Sequence, residues 1–133
     1  MSATIFSRNK ILDNMYGSVS YSPPSSWFVS LSTTPISSSG SNLNEPTGAN
    51  YSRVEVVNSK GNFTMAASGS LVNSSAIVFP QSSGSWGTIT SIALMDSVSS
   101  GSCWFFTDLS SPRVVQDLSV ISFSASAIIF SVT

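Results

Sequence analysis

The stretch Trp27-Phe-Val-Ser-Leu-Ser-Thr-Thr34 decides the fold. It sets Trp27, Val29 and Leu31 against Phe28, Ser30 and Ser32, the two-residue alternation of a strand with one buried face. The same grammar recurs on both sides of it. Residues 51–58 place Val54 and Val56 on one face and Arg53, Glu55 and Val57 on the other, ahead of the turn Ser59-Lys-Gly-Asn62 and a candidate partner strand at 63–67. Ala76-Ile-Val-Phe-Pro80 is a short strand stopped by a proline, which has no N–H to give a ladder. Trp86-Gly-Thr-Ile-Thr-Ser-Ile-Ala-Leu-Met95 is the longest β-branched run, followed by a turn at 96–101 and the strand Ser102-Cys-Trp-Phe-Phe-Thr-Asp108. Pro112 is expected to break that strand, leaving Arg113-Val-Val115 as a separate extended piece.

Residues 118–123 and 128–132 read as a final pair around Ala125-Ser126, with Ile128, Phe130 and Val132 alternating. Residues 35–49, rich in Ser, Gly and Asn and containing Pro46, read as one long loop with a mobile tip. About eight short strands with closely spaced turn signals predict an all-β chain, an antiparallel β-sandwich or jelly roll. No repeat and no linker divides it, so residues 1–133 form a single domain, with a helical segment at 1–17 and a β body at 18–133.

The one helix precedes the β body. Ile5, Ile11, Leu12, Met15 and Tyr16 fall in one stripe at helical spacing, and Asn9, Lys10, Asp13 and Asn14 lie opposite. Ser7 is a candidate cap and Gly17 the stop. Arg8 is the discordant member of the apolar stripe. Either its stem packs while the guanidinium reaches water, or it meets a partner surface.

Only 8% of the residues are charged, with a net charge of −1, one cysteine and no histidine. Typical soluble domains carry about 25%, so the exterior is expected to be coated with Ser, Thr, Asn and Gly. Five basic residues supply no stripe for phosphates, which argues against nucleic acid. No run approaches the roughly 20 apolar residues of a membrane span. Residues 1–10 show no apolar run behind a basic start, so synthesis and retention in a cytoplasm are expected. The three sequons at Asn50, Asn62 and Asn73 are then chance matches in a Ser/Thr-rich chain.

Chemistry finds little purchase. Without histidine the usual general base and metal ligand are missing, and no acidic loop of calcium-binding spacing occurs. No cofactor is expected. Asp96 and Asp108 bracket one predicted hairpin and are the only carboxylates placed to act as a glycosidase-like pair, against the commoner role of Asp in turns. Lys10 and Lys60 are too solvated to activate a serine. Cys103, beside Trp104-Phe-Phe106, reads as a buried, inert thiol. Trp27, Trp86 and Trp104 sit in or at the start of strands and read as core, a carbohydrate-stacking platform being the alternative. A non-enzymatic protein is expected, a small hydrolase being the rival reading. A coat this poor in charge suits a subunit covered by its neighbours in a symmetric assembly.

The segments Asn9-Lys-Ile-Leu-Asp-Asn-Met-Tyr-Gly17, Trp27 through Thr34, Tyr51-Ser-Arg-Val54, Ala76 through Pro80 and Trp86-Gly-Thr-Ile-Thr90 together resemble a family of small tailed-bacteriophage virion proteins. Its members are described as tail-fibre proteins or resemble capsid decoration (cement) proteins. The resemblance implies a jelly-roll-like structural protein of the virion, without catalytic residues and often trimeric on a capsid surface. The resulting expectation is a cement protein on the capsid exterior, a homotrimer bound to the major capsid protein. The alternative is a tail-fibre or baseplate module for host attachment, with a host glycan as ligand. Arg8 and Lys10, on the only element outside the β pattern, are the candidate interface residues.

Overall fold

In the computed structural model, which describes residues 1–132, the alternation at 27–32 is a strand buried on both faces. Val29 and Leu31 are buried, and so are Ser30 and Ser32. The elements in order are β1 (Ser2–Ala3), α1 (Ile5–Tyr16), β2 (Ser26–Ser32), β3 (Val54–Val57), β4 (Ser70–Val72), β5 (Ile77–Val78), β6 (Gly87–Met95), β7 (Cys103–Val115), β8 (Ser122–Phe123) and β9 (Ile129–Ser131). A five-stranded sheet runs β1-β7-β6-β2-β3, and two ribbons, β4–β9 and β5–β8, stand apart from it. Every pairing is antiparallel. The chain is therefore all-β with one short N-terminal helix. The two ribbons do not join into the single second sheet that a jelly roll would have.

The main core joins both parts. Val29, Leu31, Ile89, Ile92 and Leu94 of the sheet pack with Ile77, Phe79, Phe123, Ile128 and Phe130 of the ribbon segments. The other face of the sheet carries a smaller cluster, where Ala93, Met95 and Cys103 meet Ile36, Phe28 and Leu43. Residues 35–49 are thus a bonded cover, correcting the reading of a loop with a free tip. Ile36 and Leu43 anchor it, Thr33 N–H donates to Asn44 O at 2.9 Å, and Ser37 N–H to Ser41 O at 3.0 Å. Gly40, at φ +78°, lies where an added Cβ would come within 3.0 Å of the Cys103 Cβ, so the cover seats only with glycine there.

The small serines under this cover keep their hydroxyls bonded. Ser32 donates to Thr34 O at 2.7 Å and Ser91 to Asp108 Oδ1 at 2.6 Å. Serine in this chain is therefore an interior spacer as well as a surface coat.

Two strand expectations are corrected by pairing. Pro112 does not end a strand; β7 runs through it. Ile89 pairs with Arg113 and Ser91 with Asp108, which leaves residues 109–112 opposite Thr90 alone. A bulge of that size asks no ladder hydrogen bond of the proline. Residues 118–123 and 128–132 do not pair with each other: β8 takes β5 and β9 takes β4. The stretch at 63–67 makes only isolated bridges, Phe63 to Asn73 and Ala67 to Ser70.

Candidate functional site

Of the carboxylates read for catalysis, Asp96 holds a turn and Asp108 is bonded across the sheet to Ser91. Asp96 accepts Ser102 N–H at 2.8 Å and Trp104 Nε1–H at 3.0 Å. Gly101 sits so close that a Cβ would lie 2.4 Å from Asp96 Oδ1. Asp108 lies across from Ser91, five residues along β6 from Asp96, or roughly 16 Å of strand at ~3.3 Å per residue. Retaining or inverting glycosidases hold their carboxyls about 5–9.5 Å apart, so the hairpin does not make this pair. Burial pushes the Cys103 thiol up to about 12, and its Sγ lies 3.4 Å from Phe105 O.

The strongest polar network is also structural. Arg53 grips Glu45 with Nε and Nη2 at 2.9 and 2.8 Å, and its Nη1 donates to Ser97 O and Ser100 O at 2.7 and 2.8 Å. Tyr51 OH donates to Glu45 at 2.7 Å and accepts Leu31 N–H at 3.0 Å. Burial opposes the charge on Glu45, but the bonds from Arg53 and Tyr51 outweigh it and leave its carboxyl below the ordinary value. Burial, reinforced by the neighbouring carboxylate, holds the Tyr51 phenol well above its own. This network ties the 35–49 cover to the turn between β6 and β7.

Two surfaces stand out for recognition. The first is α1. Its cap is Thr4, whose Oγ1 accepts Ser7 N–H at 3.2 Å. Ser7, expected as the cap, is instead buried within the first turn and donates to Trp104 O at 2.7 Å. Trp104 is the extra residue where β7 slips register against β6, so its carbonyl is free to take Thr4 N–H as well, at 2.9 Å. The anchored side of the helix carries buried Ser7 beside half-buried Ile11 and Phe6, whose ring meets Trp104 edge-on at 5.1 Å. Ile11 of the apolar stripe is half-buried, but the rest faces outward: Leu12 is 53%, Met15 64% and Tyr16 79% exposed, with Ile5 and Val19 also exposed. Arg8, half-buried in that stripe, has an Nε shielded from solvent and without a hydrogen-bond partner. Lys10 is exposed, its ammonium 5.5 Å from the Phe6 ring centre.

The second surface is a cleft of about 300 Å³ between the main sheet and the β4–β9 ribbon, walled by Trp27, Phe63, Leu71, Leu94, Phe105 and Phe130. A second hollow of about 120 Å³ shares Leu71, Phe105 and Phe130. Asn58, Ser59 and Lys60 form the polar rim of the larger cleft. Of the three tryptophans, Trp86 and Trp104 are buried, and half-buried Trp27 forms a wall of the cleft. The sequence did not single out this cleft, because Leu71 and Phe130 belong to a pairing of distant strands that local periodicity does not show. The outward turn of α1 did leave a trace: Arg8 within the stripe is out of place on a core face.

Residues 2–131 match the family model described as Podophage GP4 fiber I protein gp80. No curated protein matches the chain.

Proposed function

The chain belongs to the family of the Podophage GP4 fiber I protein gp80, and from that premise we propose that this phage virion structural protein is a subunit of a tail fibre, acting by assembly and attachment rather than catalysis. The family description favours the fibre over the capsid-decoration reading. The observation that carries the assembly part is the outward apolar stripe of α1. Leu12, Met15 and Tyr16 expose more than half of their surface on a helix of 12 residues, a length that is marginal in water by itself. Ile5 and Leu12 are seven residues apart, as are Arg8 and Met15, the spacing by which helices of separate copies pack along one seam.

Arg8 lies on that seam and Lys10 on the opposite flank of the helix, so Arg8 is the interface residue of the two and Lys10 borders it. A homo-oligomer built this way, the expected trimer included, covers apolar surface that a chain with 8% charged residues has few ionic groups to keep dispersed. Labelling the chain in intact phage particles with a specific antibody and imaging them tests the location. Label on the tail fibres is the expected result. Label over the capsid faces would restore the decoration reading and refute this one.

A further inference from the structure

We propose that the cleft between the main sheet and the β4–β9 ribbon is a binding site for a small amphiphilic anion, an aliphatic or aromatic body carrying one carboxylate or sulfonate. The volume, about 300 Å³, falls at the lower end of small-ligand pockets. Its walls are aromatic and aliphatic: Trp27, Phe63 and Phe105 with Leu71 and Phe130. An occupant must be mostly apolar to gain from such walls, since a polyhydroxylated ligand would leave its hydroxyls unpaired there.

The rim supplies the sign of the head group. Among the described residues Lys60 is the charged one that lines the cleft, and no carboxylate lines it. Among the described residues the ion pair is Arg53 with Glu45, so Lys60 has no acidic partner among them. The turn that carries it is fixed before any ligand arrives. Phe63 N–H donates to Ser59 O at 3.1 Å, and the Asn62 amide to Val57 O at 2.9 Å. The Asn58 amide is already committed to Pro24 O at 2.9 Å. The rim is thus a held turn offering one unpaired cation beside an apolar hollow, and that complementarity selects an anion over a neutral molecule. The site does not depend on the fibre reading, because it uses neither α1 nor an assembly contact.

Calorimetric titration of the intact chain with decanoate, and with decanol as the uncharged match, tests the assignment. Decanoate is expected to saturate one site and to bind about fivefold more tightly than decanol at low salt, the upper range for an exposed charge pair. That advantage should vanish in 0.5 M salt, where the Debye length is only a few ångströms. Lys60→Gln and Lys60→Glu, on an exposed turn, should remove it while leaving decanol binding alone. Leu71→Trp, which fills the hollow, should abolish binding of both. Equal affinity for acid and alcohol, Lys60 variants without effect, or absence of saturable decanoate binding would each overturn the proposal. Displacement of decanoate by a neutral oligosaccharide would overturn the ligand class.

Discussion

In β2 and α1 the ordinary relation between polarity and burial runs in opposite directions. In β2, Ser30 and Ser32 are as deeply buried as Val29 and Leu31. In α1, the hydroxyl residue Ser7 is buried while Leu12, Met15 and Tyr16 face water. The cause in β2 is a second layer: Ile36 and Leu43 of the 35–49 cover need small residues beneath them and bonded hydroxyls, which serine provides. The cause in α1 is its docking point. The carbonyl left free at the Trp104 bulge accepts from Ser7 and from the Thr4 N–H, and no apolar side chain could do that. With the helix anchored at Ser7, Phe6 and Ile11, the chain leaves Leu12, Met15 and Tyr16 outward. A hydrophobic stripe in β2 is spent on folding; in α1 it remains available for association.

The largest effect should come from within β2. Leu31→Ala removes a wholly buried side chain and should cost about 3 kcal/mol in urea unfolding, within the range for leucine truncations in cores. A cost below 1 kcal/mol would mean that the sheet is not packed on that face.

The pins of the cover come next. Arg53→Ala leaves Glu45 half-buried without its guanidinium and should cost about 2 kcal/mol. The pH dependence follows from the lowered Glu45 carboxyl. A depressed folded value means that the stabilisation is complete above the unfolded value, about 4.3, and is lost as pH falls through the folded one. Glu45→Gln should therefore flatten the acid limb of a stability-against-pH curve. An unchanged limb would remove the network from the account.

A smaller loss is expected at the helix anchor. Thr4→Ala deletes the cap and should cost about 1 kcal/mol, read as reduced helical signal and a lower melting temperature. Cys103 should stay silent to a thiol reagent at pH 8 in the folded protein and react on unfolding, given its burial and raised value. The smallest effect on folding belongs to the outward stripe. Leu12→Ser should change unfolding free energy by no more than about 0.5 kcal/mol, as surface substitutions do, and a large loss would place that face against the body after all.

Much of the β order was legible because period two and turn residues are local signals. Residues 51–58 and 86–95 each contain the strand observed, and 27–34 holds all of β2 but Ser26. What was not legible depends on distant partners. Nothing near Ser70 marks β4 before Phe130 and its neighbours pair with it, and Pro112 reads as a breaker until the bulge opposite Thr90 is known. The stripe of α1 was correctly placed on one face, but which face meets the body was decided by hydrogen bonds at Trp104, which spacing does not encode. Arg8 was visible as an anomaly. Lys60 reads in the sequence only as a solvated turn residue, since the hollow beside it is assembled from six separate stretches of chain.

Sedimentation velocity of the purified chain beside the double variant Leu12→Glu/Tyr16→Glu tests most directly whether the helix stripe exists for assembly. The wild-type chain should sediment as a discrete oligomer and the variant as a monomer, with both unfolding at the same urea concentration. A wild-type monomer, or an oligomer that persists unchanged in the variant, would contradict the account.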